Sequence, residues 1–379
     1  MIRLTIPAIE EDDIQAVVDT LKSGFLVQGK RVQQFEAQVA ELTGASHAVA
    51  VSNCTAALHL ALVALGISYG DLVIVPAYSW LSTANVVELC GATPIFVDVE
   101  PDTFNMSVDA LKGKLKALME DADSASRVKA VIPVHVFGQM AKMDAILALC
   151  TPYNIPVIED AACALGSAVA QKQAGTWGTL GCFSFHPRKA ITTGEGGIVV
   201  TDDQALANQL RALRNHGLDA ESASPDFVLA GYNYRMTDLQ GALGTTQMQK
   251  LERILASRRT CAARYAELLT GSDIAFPQPT NREAHVFQSY VVLLPLAVAP
   301  RRADVITALR DKGIQTTIGT YHMPMTRHFR EQGNYQTGDF PIADQIAAQA
   351  LTLPVYEGLS LEEQAFVVST LLDVVHQFS

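Results

Sequence analysis

Residues 180–202 read LGCFSFHPRKAITTGEGGIVVTD, and this stretch begins and ends with short apolar runs, at 180–185 and 197–202. Short apolar runs that are bounded by turn residues such as Gly and Pro predict strands buried on both faces of a sheet. Five more runs of this kind precede the stretch and alternate with helical patterns: 48–52, 72–76, 93–99, 128–136 and 156–160. This alternation predicts an α/β fold, in which a mostly parallel sheet lies between helices.

The repeating pattern changes near residue 237, where a long helical stretch leads out of the sheet region. A strand-like run at 285–294 and helical patterns near 301–313 and 361–377 follow it. A chain of 379 residues also exceeds one comfortable hydrophobic core. We therefore predict a large domain over residues 1–250 and a smaller C-terminal α+β domain over residues 251–379.

Composition and charge exclude several classes of protein. Hydrophobic residues make up 49% of the chain and charged residues 18%, which is typical of a compact globular protein. The net charge of −11 argues against nucleic-acid binding, and no apolar run is long enough to span a membrane. The six cysteines are scattered without a CxxC pair, so we expect free thiols, no metal site and a cytoplasmic protein.

The segment after the strand at 180–185 contains the strongest candidate for a catalytic group. Strand alternation places Ser184 and His186 on one face, Pro187 ends the strand, and Lys189 follows with Arg188 beside it. Partial burial and a neighbouring cation both lower the pKa of a lysine, as a Schiff-base lysine requires. We therefore predict a lowered pKa for Lys189; the alternative is a surface lysine in a loop.

Other candidates follow the remaining strands, since ligands bind beyond the carboxyl ends of a parallel sheet. A helix begins near Thr55, and its unpaired N–H groups offer a phosphate seat unless they serve an ordinary N-cap. Trp80 can stack on a flat ligand or belong to the core. Glu159 and Asp160 end a buried strand on opposite faces, so only one of them can enter a given pocket; capping the next helix is the alternative.

A phosphate seat, a flat aromatic ring, a buried carboxylate and an activated lysine are together what pyridoxal 5′-phosphate (PLP) requires. At these residues the chain resembles the nucleotide-sugar aminotransferases, the DegT/StrS group of fold type I PLP-dependent enzymes. The SFHPRK segment at 184–189 is similar to that of perosamine-synthase-type members, which aminate C-4 of a keto sugar. The resemblance covers nearly the whole chain and includes SNCTAALHLAL (52–62), VIEDAACALGS (157–167), FSFHPRKAITTGEGGIVVTDD (183–203) and GYNYRMTDLQGALG (231–244).

The resemblance implies a large PLP domain with a mixed seven-stranded sheet and a role for each candidate residue. It makes Lys189 the Schiff-base residue, Asp160 the partner of the pyridine nitrogen and Trp80 the cover of the ring. The cofactor phosphate would be held by Thr55, Ala56 and Ser184. Asn233 would reach the phosphate of the neighbouring subunit's cofactor, which implies a homodimer with shared active sites.

The activity implied is transfer of an amino group from L-glutamate to a nucleotide-linked keto-deoxy sugar, at C-4. Three alternatives stay open: a keto-cyclitol aminotransferase, a PLP-dependent sugar dehydratase and a non-catalytic PLP-binding sensor. Dehydratase relatives carry His in place of the lysine, so Lys189 argues against that reading. Because both proposed substrates are anionic, Lys30, Arg235 and His322 are further candidates for binding them.

Two cysteines depart from the family pattern. Cys54 stands where Gly is common, which narrows the backbone freedom near the phosphate. Cys163 stands where His or Gln is common, and a thiol is a weaker hydrogen-bond donor toward the cofactor region. We expect Cys163 to lie at the cofactor, either in contact with it or simply packed beside it.

Overall fold

The computed structural model describes residues 1–219, 224–279, 281 and 284–378, and a seven-stranded sheet lies at its centre. Apolar runs form these strands, and most of their residues are buried on both faces; Thr93 in the edge strand and Lys129 are exposed. In chain order the strands are β1 (His47–Val51), β2 (Leu72–Pro76), β3 (Thr93–Val97), β4 (Val128–Val131), β5 (Ile158–Asp160), β6 (Leu180–Ser184) and β7 (Gly197–Thr201).

The spatial order of the sheet is β1-β7-β6-β5-β4-β2-β3. Strand β7 runs antiparallel to both of its neighbours, and the other adjacent pairs run parallel. The two halves of the sheet join through a parallel bridge between Val131 and Val157. The predicted α/β class and the mixed, mostly parallel sheet of seven strands are therefore confirmed.

The helices cover the two faces of this sheet and build the C-terminal part of the chain. Helix α2, for example, buries Val32, Phe35 and Val39 along one face, as its apolar spacing predicts. In chain order they are α1 (Glu11–Ser23), α2 (Lys30–Thr43), α3 (Cys54–Ala64), α4 (Ser82–Leu89), α5 (Val108–Glu120), α6 (Ala122–Arg127), α7 (Met143–Cys150), α8 (Gln204–Arg214), α9 (Asp238–Leu269), α10 (Arg302–Asp311), α11 (Arg327–Gly333), α12 (Pro341–Gln349) and α13 (Leu361–Phe378).

A second hydrophobic core lies in the C-terminal part of the chain. An antiparallel sheet of three short strands, β8 (Tyr290–Leu293), β9 (Thr317–Ile318) and β10 (Ala350–Leu353), packs with α10 and α13. Helix α9 contributes to this core and also to the core of the main sheet. The helix passes residue 250 without a break, and the division into residues 1–250 and 251–379 stays a proposal.

Two short antiparallel strand pairs lie outside the two larger sheets. Tyr78–Ser79 pairs with Tyr321–His322, and Ala168–Val169 pairs with Lys172–Gln173. Within the described ranges, no helix is both long and apolar enough to cross a membrane. All six cysteines are free thiols, as the sequence predicts. Single 3₁₀ turns span Val136–Gly138, Thr151–Tyr153, Ala299–Arg301 and Met323–Met325.

Candidate active site

The candidate residues meet at one edge of the sheet, where the parallel strands end. Asp160 is the last residue of β5 and Ser184 the last residue of β6, while β7 begins at Gly197 between Ser184 and Val51. A Cβ atom on Gly197 would lie 2.5 Å from the main chain of Asn53, so only glycine permits this close approach. The start of α3 is thereby held directly against the ends of the central strands.

Lys189 is half-buried in a turn after β6, and its Nζ atom donates a hydrogen bond of 3.0 Å to the Sγ atom of Cys163. Its neighbour Arg188 is exposed. Burial alone lowers the pKa of Lys189, but Cys163, Cys54 and Asp160 raise it, and the net pKa lies above the ordinary value of 10.5. The predicted lowering of the lysine pKa is therefore wrong for the cofactor-free chain, because two thiols and the Asp160 carboxylate act on the amine more strongly than burial does.

Asp160 is buried, and its two carboxylate oxygens have separate partners. The Thr83 hydroxyl donates to Oδ2 at 2.8 Å, and the Ala162 N–H donates to Oδ1 at 3.2 Å. Burial raises the pKa of Asp160, although these two hydrogen bonds and the Lys189 charge pull it down. Sequence reasoning missed Thr83; its only signal is its position in the first turn of α4, three residues after Trp80.

Glu159 points to the opposite side of β5 and is fully enclosed. Its carboxylate accepts hydrogen bonds from the N–H groups of Gly175, Trp177 and Gly178, at 2.6 to 2.8 Å. The Nε2 atom of His135 lies 2.8 Å away, and its Nδ1 atom accepts from the Ala141 N–H, so Nε2 carries the proton and donates to Glu159. These partners make Glu159 a structural residue and leave Asp160 as the carboxylate at the site.

The start of α3 is both an N-cap and a candidate anion site. The Asn53 side chain accepts a hydrogen bond of 2.9 Å from the Ala56 N–H, so that donor is already occupied. The N–H groups of Cys54 and Thr55, in the first turn, have no intrahelical acceptor. The Thr55 hydroxyl lies 2.8 Å from that of Ser82. The N–H groups of residues 54 and 55 therefore have no helical acceptor, and the phosphate role that the resemblance implies for Thr55 and Ala56 stays a prediction.

Trp80 is 58% exposed, so it is not a core residue, and its ring meets the edge of Tyr321 at 5.6 Å between centroids. Ser184 is half-buried, and its hydroxyl accepts a hydrogen bond from the His186 N–H. Asn233 is exposed and lies beside Asn215 in an antiparallel bridge. The indole and the Asn233 side chain are thus accessible from outside this chain.

The three candidates for binding anionic substrates are not part of the cluster around Lys189. Arg235 donates to the Asn215 side chain, and buried His322 faces Asp344 at 3.3 Å. Lys30 is the exposed first residue of α2. Within the described residues, none of them forms a hydrogen bond or an ion pair with Lys189 or Asp160.

The arrangement fits PLP. Two main-chain donors at a helix start suit a phosphate, the buried Asp160 suits a protonated ring nitrogen, and the Lys189 amine suits an aldehyde. No cluster of three or more His, Cys, Asp or Glu side chains that could hold a metal ion occurs in the part of the chain that the structure describes.

Known proteins of similar sequence cover almost the entire chain. The profile of the DegT/DnrJ/EryC1/StrS aminotransferase family matches residues 7–372. The spore coat polysaccharide biosynthesis protein SpsC of Bacillus subtilis is 37% identical, over 98% of this chain and 96% of its own length. The GDP-perosamine synthase of Caulobacter vibrioides is 36% identical, over 99% of this chain and 98% of its own length.

Solved structures of similar fold agree with these relatives. The aminotransferase PseC of Helicobacter pylori, which is involved in pseudoaminic acid biosynthesis, has a TM-score of 0.92 at 25% identity and covers 100% of both chains. A putative sugar aminotransferase of Streptococcus pneumoniae in its PMP form has a TM-score of 0.91 at 28% identity, over 100% of this chain and 98% of that one. The predicted fold, that of fold type I PLP-dependent transferases, is confirmed by these likenesses.

Proposed function

Because this chain belongs to the DegT/DnrJ/EryC1/StrS aminotransferase family, we propose that it moves an amino group from L-glutamate to C-4 of a nucleotide-linked keto-deoxy sugar. The chain is a PLP-dependent aminotransferase, as its family is. The observation that carries the sugar acceptor is the 36% identity, over 99% of this chain, to a protein named GDP-perosamine synthase. The SFHPRK segment at 184–189 supports the same choice.

Lys189 is the proposed catalytic lysine. When bound, PLP supplies an aldehyde for covalent attachment to a lysine and a ring that accepts electrons. With the cofactor bound, the Lys189 Nζ atom would take the proton from the donor's Cα atom and, in the second half of the reaction, would give a proton to the sugar carbon that receives the amino group. The 3.0 Å hydrogen bond to Cys163 supports this role, because it holds the amine inside the site.

Asp160 is the proposed partner of the ring nitrogen. Its carboxylate is buried, and the Thr83 and Ala162 hydrogen bonds fix its orientation. A positive ring nitrogen beside it would give this buried carboxylate a charge partner, which lowers the cost of its burial. Thr83 is the proposed positioning residue for Asp160.

The phosphate is proposed to lie at the start of α3, between this helix and the end of β6. The N–H groups of Cys54 and Thr55 point out of the helix start, and Ser184 lies beside Gly197, which touches Asn53. The side chain at position 163 faces Lys189, so we propose that Cys163 borders the cofactor.

Trp80 and Asn233 are proposed to complete the site. Exposed Trp80 is suited to cover one face of the ring. Exposed Asn233 is suited to reach the phosphate of a neighbouring subunit's cofactor, so we propose a homodimer with shared active sites. The consecutive exposed side chains of Phe25, Leu26 and Val27 support such an interface, because contiguous apolar surface marks sites of protein–protein contact. The cytoplasmic location expected from the free thiols stays a prediction.

The test is an amino-transfer assay with purified, PLP-loaded protein. The protein is incubated with ¹⁵N-labelled glutamate and a panel of nucleotide-linked keto sugars, and the products are analysed by mass spectrometry. We expect ¹⁵N in an amino sugar and 2-oxoglutarate as the second product, and neither product with Lys189→Ala. Positional analysis of the labelled sugar by NMR then decides whether the amine is at C-4.

The alternative functions predict different results in the same assay. Loss of a sugar oxygen without gain of nitrogen would indicate a dehydratase. Labelling of a keto-cyclitol but of no nucleotide-linked sugar would indicate a cyclitol aminotransferase. Stoichiometric PLP binding without turnover of any acceptor would indicate a sensor.

A further inference from the structure

Arg258 is a buried cation that forms no salt bridge in the described part of the chain, although the charge of Glu357 favours its protonated form. It lies on α9 and is 2% exposed. Its Nη1 atom donates to the carbonyl oxygens of Gln288, at 3.1 Å, and Phe287, at 3.4 Å. Burial lowers the pKa of Arg258 to about 10, so the side chain stays charged at neutral pH. Burial of a charge costs free energy, and the hydrogen bonds to these carbonyl oxygens offset part of that cost.

The second nitrogen of the same guanidinium reaches the catalytic turn. The Arg258 Nη2 atom lies 3.5 Å from the carbonyl oxygen of Lys189. One planar group therefore contacts the main chain of Lys189 on one side and the main chain of residues 287 and 288 on the other. A lysine at position 258 could not reproduce this geometry, because an ammonium lacks the two-pronged shape of a guanidinium.

Gln288 forms a second contact between the same two segments. Its side chain is buried, and Nε2 donates a short hydrogen bond to the carbonyl oxygen of Arg188. The carbonyl groups of Arg188 and Lys189 are therefore both bound by residues from elsewhere in the chain. The turn also has local hydrogen bonds: the Lys189 N–H donates to the His186 carbonyl at 2.8 Å, and the Arg188 N–H donates to the His186 Nδ1 atom at 3.2 Å.

The segment that carries Gln288 connects the main sheet to the C-terminal core. Residues 285 and 286 pair with residues 138 and 139, while β8 of the C-terminal core begins at Tyr290. Between them, Phe287 has a φ of 49°, an uncommon conformation for a residue with a side chain. The carbonyl groups of residues 287 and 288 that this conformation presents are the ones that Arg258 binds.

We propose that Arg258 and Gln288 are positioning residues that fix the main chain at Arg188–Lys189 and couple its placement to the segment leading into the C-terminal core. The inference rests on the proposed role of Lys189. The lysine side chain has four rotatable methylene bonds, so the position of Nζ is defined only if its main chain is fixed. Loss of the two contacts leaves the turn held mainly by its own local hydrogen bonds.

The first test uses protein without cofactor. Amide hydrogen exchange is measured on the peptide that contains residues 186–193, in the parent chain and in Arg258→Lys, Arg258→Met and Gln288→Leu. We expect the exchange of the Arg188 and Lys189 amides to rise about tenfold in each variant, as the loss of a charge-assisted or buried hydrogen bond implies. Arg253→Met is the matched control, since Arg253 lies on the same helix but pairs with Glu10 and Glu357.

The second test measures formation of the covalent link between PLP and Lys189. PLP is added, the link is trapped with borohydride at set times, and labelled peptide is quantified. We expect the Arg258 and Gln288 variants to form the link about tenfold more slowly, and their glutamate half-reaction to lose rate with little change in the glutamate KM. The control should stay within twofold of the parent chain in both measurements.

The proposal would be overturned if the folded Arg258→Lys and Gln288→Leu variants exchange their amides and form the link to PLP at rates within twofold of the parent chain. Their thermal stability does not affect this conclusion. Those two variants decide the matter if Arg258→Met does not fold. A borohydride label on another lysine in the parent chain would instead overturn the proposed role of Lys189. The two failures are therefore distinguishable.

Discussion

The Nζ atom of Lys189 lies 3.0 Å from the Sγ atom of Cys163 and close enough to the buried carboxylate of Asp160 to be affected by its charge. Burial lowers the pKa of Lys189, but these two neighbours and Cys54 outweigh it, and the net pKa lies above its ordinary value. The amine is therefore protonated at neutral pH before the cofactor arrives. It must lose that proton before it can attack an aldehyde, so its neighbours control how readily the site is loaded.

Lys189→Ala should abolish amino transfer and the visible absorbance of the covalently bound cofactor, while the fold is retained. The side chain ends in a half-buried turn and its truncation removes no core contact, so circular dichroism should not change. Borohydride trapping and peptide mapping of the parent chain should place the label on residue 189. Normal transfer rates in the variant would contradict the assignment.

Cys163→Ala should make Lys189 easier to deprotonate, because Cys163 raises the lysine pKa both through space and through its hydrogen bond. The rate of PLP attachment in the parent chain should rise with pH, because only the neutral amine can attack the aldehyde. In the variant the same rise should begin at lower pH. Stopped-flow absorbance at a series of pH values measures this shift.

Cys90→Ala is the control for that measurement, since Cys90 is a half-buried thiol at the end of α4 that makes no contact with the lysine. It should leave the pH profile of attachment unchanged. Identical profiles for Cys163→Ala and the parent chain would show that the thiol does not set the lysine's protonation.

Asp160→Asn should keep the cofactor but lose about 100-fold in the transfer rate, because a neutral amide cannot stabilise a positive ring nitrogen. Cofactor content is read from absorbance after denaturation, and the rate from single-turnover assays with glutamate. An unchanged rate would mean that another group serves the ring. Glu159 is a poor substitute, since its carboxylate accepts three main-chain hydrogen bonds on the opposite side of β5.

Thr83→Val should slow amino transfer about tenfold. On the acid side of the pH–rate profile, the loss of rate should begin at higher pH than in the parent chain. The Thr83 hydroxyl lowers the pKa of Asp160, so its removal raises that pKa and the carboxylate is lost earlier as the pH falls. Thr83→Ser keeps the hydroxyl and should restore both the rate and the pH profile. If the rate of the Thr83→Val variant falls at the same acidic pH as that of the parent chain, Thr83 does not position Asp160.

Lys250→Met should destabilise the fold by about 3 kcal/mol, because it leaves buried Asp13 without its 2.7 Å partner. Burial raises the pKa of Asp13, but hydrogen bonds from Lys250 and Thr246 lower it, and the net pKa is below 3.8. The stabilisation by this ionised carboxylate is therefore present above pH 3.8 in the parent chain and lost as the pH falls through the lowered pKa.

Urea denaturation at pH 7 and at a series of lower pH values tests this prediction. The Lys250→Met variant should lose the Asp13 contribution at higher pH than the parent chain. Lys116→Met, at an exposed pair with Glu120, is the control and should change stability by less than about 0.5 kcal/mol. Equal losses of unfolding free energy in the two variants would show that the buried Lys250–Asp13 pair stabilises the fold no more than an exposed pair does.

The seven strands were predictable because each is a short, largely buried apolar run, and Leu72–Pro76 matches its prediction residue for residue. Their ends were not predictable where a distant contact decides them. Strand β3 stops at Val97 because the next side chain, Asp98, accepts the first N–H groups of α12, about 245 positions along the chain. The run predicted at 285–294 shortens to Tyr290–Leu293 because Phe287 adopts a positive φ.

The site shows the same limit. The lysine, the carboxylate and the helix start were found because each directly follows a strand, and strand ends meet at one edge of the sheet. The direction of the Lys189 pKa was predicted wrongly, because it depends on Cys163 and Asp160, which adjoin it only in the folded chain. The Asn53 side chain already occupies the Ala56 N–H, a local detail that the resemblance did not reveal.

Helix α9 contributes Leu251, Ile254 and Leu255 to the core beneath the main sheet and Tyr265 and Leu269 to the C-terminal core. A chain cut after residue 250 would end in the middle of this helix, and each fragment would expose an apolar surface that the other fragment normally shields. Each half therefore depends on the other to cover its apolar surface. An exchange of the C-terminal half between related enzymes must keep this helix intact. The two parent sequences of such a chimera should be joined before Asp238, so that the whole of helix α9 comes from one parent.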